Sequence, residues 1–335
     1  MDYEEFLAYI KDNIGEYMNQ YACRSDGSGG KGETGNAGDV EGGEYHAEIH
    51  QVIKNNGIAL DGLIIRKDKE MISPNIYLNS FFENYQMGKP LAAIMEEIIY
   101  QYNLFKEEQN IRLADIWDFA AIKQDIVLRL VNYDRNRELL KTCPHKRYLD
   151  LAVTFRMVLD RDCMGIGSAL VTTDVFDYWD VSLDHLYKLA LENTMKEFPW
   201  RMDSLATVIT ECMKRQLPEE KLMEMREDFK LLENTENEVS MYVLSNEAGM
   251  NGATCILYDA VLRNFAKAQG CNVYILPSSI HEVLLVPENV ETDAVTLEEM
   301  VSDANHSAVG LIDLLSDHVY YYDRERDMVE IYEGK

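Results

Sequence analysis

Hydrophobic residues recur every four positions at the start of the chain. Phe6, Ile10, Ile14 and Met18 form one stripe, with Tyr3, Tyr9 and Tyr17 beside it, and predict an amphipathic helix over residues 2–22. From Glu44 the period changes to two: Tyr45, Ala47, Ile49 and Gln51 alternate with Glu44, His46, Glu48 and His50. Asn55-Asn56-Gly57 is a hairpin-turn signal. Returning strands are expected over 60–65 and 72–78, the second carrying Pro74 as an edge strand or bulge does. Helices are expected over 80–86, over 91–106 and over 111–121. The second has Pro90 at its first turn and Leu91, Ile94, Met95, Ile98 and Tyr102 on one face.

Further along, Ile126–Asn132 reads as a strand and 133–140 as a short polar helix. Arg147–Leu159 alternates throughout and predicts one long antiparallel strand, with a turn at Asp160-Arg161-Asp162 and a return over 165–172. Helices are expected over 173–179, 182–196, 204–214 and 219–232, the second capped by Ser182 with Asp184 in its first turn. After an acidic loop, Thr296 is placed as the cap of another helix. The chain closes on a hairpin in which Tyr320 and Tyr322 share one face and Tyr321 takes the other, one face packed and one shown.

The most legible stretch runs from Glu238 to Pro287. It reads as a strand over 238–245, a helix over 252–269 capped by Asn251 and stopped by Gly270, a strand over 271–276, and a further strand. If the first two strands are parallel neighbours, the crossover is right-handed. The loops Asn246–Gly252 and Pro277–His281 then share the edge where open α/β sheets bind ligands. The fold class expected is α+β: mixed, largely antiparallel sheets with packed helices and one strand-helix-strand unit at 238–276. Two domains are expected, 1–125 and 126–335.

Composition narrows the functions. The 335 residues are 47% hydrophobic and 27% charged, enough for a substantial core, and the net charge is −27. Such a surface repels nucleic acid and anionic membranes on average, and no local basic run offsets it, so neither is expected as a partner. The six cysteines form no C-x-x-C pair, which excludes a zinc ribbon and fits reduced thiols. The first residues have no basic n-region, and no stretch reaches the roughly 20 apolar residues of a spanning helix. A soluble, cytoplasmic protein is the expectation. Residues 24–43 hold eight glycines and read as a flexible insertion; they lack the G-x-x-x-x-G-K-[ST] of a phosphate loop. Gly165-x-Gly167 lies inside a strand and is no dinucleotide fingerprint.

Chemistry, if present, belongs to the shared edge. Ser278 or Ser279 could act as nucleophile, His281 as base, and Glu282 or Asp317 as its orienter, though no G-x-S-x-G elbow frames them. A metal site from His281, His318 and Glu282 has no motif behind it, and His46 and His50 stand about 13 Å apart on one strand. No metal and no cofactor are expected. The ligand-binding candidates are Asn246, Asn251, Gly252, Ser279 and His281. Glu247 opposes an anion there.

The pieces KNNGIALDGLIIR, ISPNIYLN, WDVSLDHLYKLALENT, MYVLSNEAGMNGATCILY, YILPSSIHEVLLVP and LSDHVYYYDR, in this order over most of the chain, resemble a bacterial family of unknown function, number 5688 among such families. The resemblance implies no activity, ligand or catalytic residue, and residues 24–43 depart from its pattern. The reading is a non-catalytic cytosolic binding or interaction protein whose partner is a small molecule or a protein. The alternative is a hydrolase using Ser279 and His281.

Overall fold

The structure is a computed structural model and describes residues 1–25, 45–67, 74–107, 116–162, 165–216, 221, 241–288 and 294–334. The glycine-rich stretch from Asp26 on, nearly all of the expected helix over 219–232, and the first part of the one over 111–121 lie outside them. The chain divides into two compact units, residues 1–54 with 58–111 and residues 55–57 with 112–335.

The first unit contains α1 (Tyr3–Ser25), β1 (Tyr45–Ile53), β2 (Ala59–Lys67), β3 (Asn75–Tyr77), α2 (Asn79–Gln86) and α3 (Leu91–Glu107). The strands form an antiparallel sheet in the order β1-β2-β3. The four-residue stripe of α1 faces inward: Phe6, Ile10, Ile14 and Met18 are buried in one cluster with Leu63, Ile65, Ile76, Ile94, Ile98 and Tyr102. Each such side chain contributes about 1.5–3 kcal/mol by leaving water. Asn56 (φ 59°) and Gly57 (φ 72°) adopt the left-handed conformation that the Asn-Gly turn signal requires.

The second unit runs α4 (Phe119–Ile122), β4 (Ile126–Asn132), α5 (Arg137–Leu140), β5 (His145–Tyr148), β6 (Leu151–Asp162), β7 (Gly165–Leu170), α6 (Thr173–Trp179), α7 (Leu183–Glu197), β8 (Trp200–Ser204), α8 (Leu205–Gln216), β9 (Tyr242–Asn246), a 3-10 turn (Gly252–Leu257), α9 (Val261–Gln269), β10 (Val273–Leu276), β11 (Val283–Pro287), α10 (Ala294–Ser307), β12 (Tyr320–Asp323) and β13 (Met328–Ile331). Two sheets result. One has four strands, β4-β6-β5 with β7 also on β6; the other has six, in the order β13-β12-β10-β11-β9-β8. Every ladder among the described residues is antiparallel. The fold is α+β, with antiparallel sheets and packed helices.

The main core joins the inward faces of both sheets. Leu128, Leu130, Val153 and Phe155 of one sheet and Leu244, Ile275, Leu285 and Tyr320 of the other share a cluster with Leu186 and Ala190 of α7. Ser182 caps α7 as its position predicts, its hydroxyl accepting from His185 N–H at 3.2 Å. On the same helix, Thr194 Oγ1 accepts the N–H of Leu128 at 2.8 Å and so satisfies a donor of strand β4.

Five expectations are corrected. The strand expected over 147–159 is a two-strand hairpin, β5 and β6, which turns at Leu149-Asp150 with Leu149 at φ 55°. The alternation ran unbroken because Leu149, a residue unusual in that conformation, packs against the core even in the turn. The helix expected over 252–269 is broken: Tyr258 is extended and Ala260 left-handed at φ 64°. Tyr258 is buried and its hydroxyl donates to Phe198 O at 2.9 Å, a remote anchor that periodicity cannot register. Strands β9 and β10 run parallel without pairing, since β11 lies between them. The terminal tyrosine strand shows neither face, against the expectation of one packed and one shown. Tyr320, Tyr321 and Tyr322 are all buried, because the Tyr321 side too is covered, by a second cluster that includes Leu297 and Val301 of α10. Thr296 lies inside α10, which begins at Ala294, and does not cap it.

Candidate functional site

The two loops of the central stretch meet at one end of the six-stranded sheet. Ala253 N–H donates to Ile280 O at 3.2 Å, Asn251 N–H to His281 Nδ1 at 3.3 Å and Ser245 Oγ to His281 O at 2.8 Å. Glycine at 252 permits the approach: a Cβ there would stand 2.2 Å from Ser245 Oγ and 2.4 Å from His281 O. Asn246, buried at the end of β9, closes its own loop by giving and taking hydrogen bonds with the Met250 backbone. Asn251 holds φ 52° and makes no side-chain cap; its carbonyl accepts from Thr254 Oγ1 at 2.8 Å.

The hydroxyl and imidazole singled out by sequence are each engaged, but not with one another. Ser279 is buried, and its Oγ accepts from the backbone N–H of His281 at 3.0 Å, a local turn device. Ser278 contributes its carbonyl, which accepts from Leu315 N–H at 2.9 Å. His281 Nδ1 accepts from Asn251, so Nε2 carries the proton and meets Asp313 Oδ1 at 3.3 Å. Next to Asn246 and Asn251 is a cavity of only about 30 Å³, walled by Val127, Arg156, Phe198 and Thr254. It has room for a water or two and is too small for a ligand.

His318 belongs to a separate cluster. Asp150, in the β5–β6 turn and mostly buried, accepts from Ser316 Oγ at 2.7 Å, from His318 Nδ1 at 3.2 Å and from the Tyr320 hydroxyl. Burial, reinforced by this carboxylate, pushes the Tyr320 phenol well above its usual range. Beside it, Asp317 accepts from Arg135 Nη2 at 2.7 Å and from Asn305 Nδ2 at 2.8 Å. Burial raises the Asp317 carboxyl, but these partners outweigh it and hold the group below the ordinary range. Asp317 thus orients Arg135 and not a histidine. Sequence reasoning missed Asp150 because it sat within what read as one strand. No group of three or more His, Cys, Asp or Glu among the described residues is placed to hold a metal.

The larger recess lies on the other side of Asn246. A cleft of about 720 Å³ opens between α8 and strands β8, β9 and β11. Leu205, Val208, Val243 and Leu284 supply its apolar lining, and Val243 and Leu284 are directly paired across β9 and β11. Arg201 is held there by Asp203 at 2.5 Å and Glu211 at 3.0 Å, and Arg215 reaches Glu211 at 4.0 Å. Glu247 and Glu282 line the same cleft, exposed and without an ion-pair partner among the described residues. Glu282 was singled out by sequence as an orienter; it is instead a cleft carboxylate. Arg201 and Asp203 were missed with β8 itself, although Trp200, Met202 and Ser204 alternating with them after Pro199 carry the period of a strand.

No helix among the described residues is long and apolar enough to cross a membrane. No curated protein and no solved structure matches the chain. One family model matches residues 3–324, nearly the whole length, and its description is a family of unknown function, DUF5688. The chain, with its α+β fold and antiparallel sheets, belongs to that family.

Proposed function

We propose that this is a non-catalytic cytosolic binding protein whose ligand occupies the cleft between α8 and the six-stranded sheet. The observation that carries the reading is the pairing of an apolar lining with two unneutralised carboxylates, Glu247 and Glu282, in a recess of about 720 Å³. That volume lies within the roughly 300–1,000 Å³ of small-molecule sites. The chemistry it favours is an apolar body ending in an amine: Leu205, Val208, Val243 and Leu284 take the body, and the carboxylates accept from the ammonium. Arg201 is already matched by Asp203 and Glu211, so an anionic ligand finds no unmatched cation at that residue. A Ser279–His281 hydrolase draws less support, because the Ser279 hydroxyl is turned to a backbone amide.

The test is a matched series of hexylamine, hexanol and hexanoate followed by thermal shift and calorimetry. Hexylamine is expected to bind and raise the melting temperature in a concentration-dependent way. Glu247→Gln combined with Glu282→Gln is expected to weaken it at least fivefold. Equal binding of all three probes, or an unaffected double variant, overturns the proposal.

A further inference from the structure

The first unit carries a second recess of different chemistry. A groove of about 610 Å³ lies between α1 and α3, lined by Tyr17, Gln20 and Tyr21 from one helix and by Ala92, Glu96, Ile99 and Tyr100 from the other. The spacings i, i+3, i+4 on α1 and i, i+4, i+7, i+8 on α3 put each set on a single helix face. Three of the lining side chains are tyrosines. Tyr21 is 45% and Tyr100 58% exposed, a large aromatic display for a water-facing surface. Ile99 is buried and contributes an apolar base, while Ala92 fills little of the space between the helices. The remaining acidic group is Glu96, which has no ion-pair partner among the described residues. Gln20 is turned to Glu16, donating to its Oε1 at 3.1 Å.

We propose that this groove binds a small quaternary ammonium compound. Aromatic faces attract a cation through the ring quadrupole, and they do so best when the cation needs no hydrogen bonds. A primary ammonium donates three hydrogen bonds and needs three acceptors converging on one point, whereas the acceptors here, the Glu96 carboxylate, the Gln20 carbonyl oxygen and the tyrosine hydroxyls, are spread over two helices. A methylated ammonium asks for none. Its charge is spread over methyl groups that pack on Tyr21, Tyr100 and Ile99, and Glu96 supplies the long-range attraction. Anions are opposed by Glu96 and by the net charge of −27. A neutral ligand of the same shape keeps the packing and loses both electrostatic contributions.

Choline and its uncharged carbon analogue, 3,3-dimethylbutan-1-ol, separate these contributions. Titration of the full chain by tyrosine fluorescence and calorimetry is expected to show saturable choline binding, roughly millimolar in strength. The neutral analogue is expected to bind at least fivefold more weakly. Tyr100→Leu, which keeps an apolar side chain and removes the ring, and Glu96→Gln are each expected to weaken choline at least threefold; both positions are exposed, so folding should survive. Glu247→Gln with Glu282→Gln should leave choline binding unchanged. Equal binding of choline and its analogue, or choline binding indifferent to both groove variants, overturns the proposal.

Discussion

The Tyr320 hydroxyl donates to the Asp150 carboxylate, and this bond ties the six-stranded sheet to the β5–β6 turn of the four-stranded one. Tyr320 is fully buried, so its hydroxyl has little recourse to water once the partner is lost. Tyr320→Phe removes a hydrogen bond to a charged group and is expected to cost about 1.5–3 kcal/mol. Urea denaturation measures it. A loss below about 0.5 kcal/mol would mean that Ser316 and His318 alone satisfy Asp150.

Alkaline pH should act on the same core. Burial holds the phenols of Tyr320, Tyr258 and Tyr148 above their ordinary value, and pushes Tyr274 up to about 12. A pKa raised in the folded state means that the native protein keeps protons the unfolded chain gives up. The resulting stability is complete below the unfolded value of about 10 and falls as pH rises through the folded values. Spectrophotometric titration is therefore expected to show a late group of tyrosines ionising together with unfolding. Phenols that all titrate near their ordinary value in a folded protein would refute it.

Acid acts through Asp317 with the opposite sign. Its folded pKa is depressed by Arg135 and Asn305, so its contribution is present above the ordinary aspartate range and lost as pH falls through the depressed value. Asp317→Asn is expected to flatten the stability profile on the acid side while leaving the alkaline side unchanged. Because the pair is half exposed, added salt should shrink the difference. An acid limb identical in the variant and the parent would remove Asp317 from the account.

Gly252→Ala tests the loop junction. The added Cβ meets a backbone carbonyl, His281 O, at 2.4 Å and a backbone nitrogen, Asn246 N, at 2.8 Å, so no side-chain rotation relieves it. The expected cost is about 1–3 kcal/mol, with the loops Asn246–Gly252 and Pro277–His281 forced apart. Amide exchange at Asn251 and Ala253, whose N–H groups bond to the second loop, should accelerate with it. Unchanged protection at both amides would show that the loops do not depend on this contact.

Local pattern went far where an element's own residues decide its burial. The stripe Phe6, Ile10, Ile14 and Met18 was readable because a helix repeats its buried face every turn. Strand β4 was readable because its apolar run is bounded by polar ends. The meeting of the two loops at one edge was legible too, since both follow strands of the same direction. The site was less so. Ser279 and His281 are close in sequence, and that closeness suggested a pair. What they bond to is a backbone amide, a remote carboxylate at Asp313 and the N–H of Asn251.

The sequence by itself determined the fold class, the helices α1, α3 and α7, the terminal hairpin and the membership of a family. The elements and the fold class depend on periodicity, caps and turn residues within a few positions of one another, whereas the family rests on the resemblance of sequence pieces spread over most of the chain. Only the tertiary structure decided that Leu149-Asp150 is a turn, that β11 separates β9 from β10, that Tyr321 is covered, and that Glu247 and Glu282 line one cleft. Those outcomes come from partners tens to hundreds of positions away, such as Phe198 for Tyr258 and Tyr320 for Asp150. Alternation along a strand records which face is buried. It carries no information on which distant element does the burying, and in this protein that choice places the side chains that could meet a ligand.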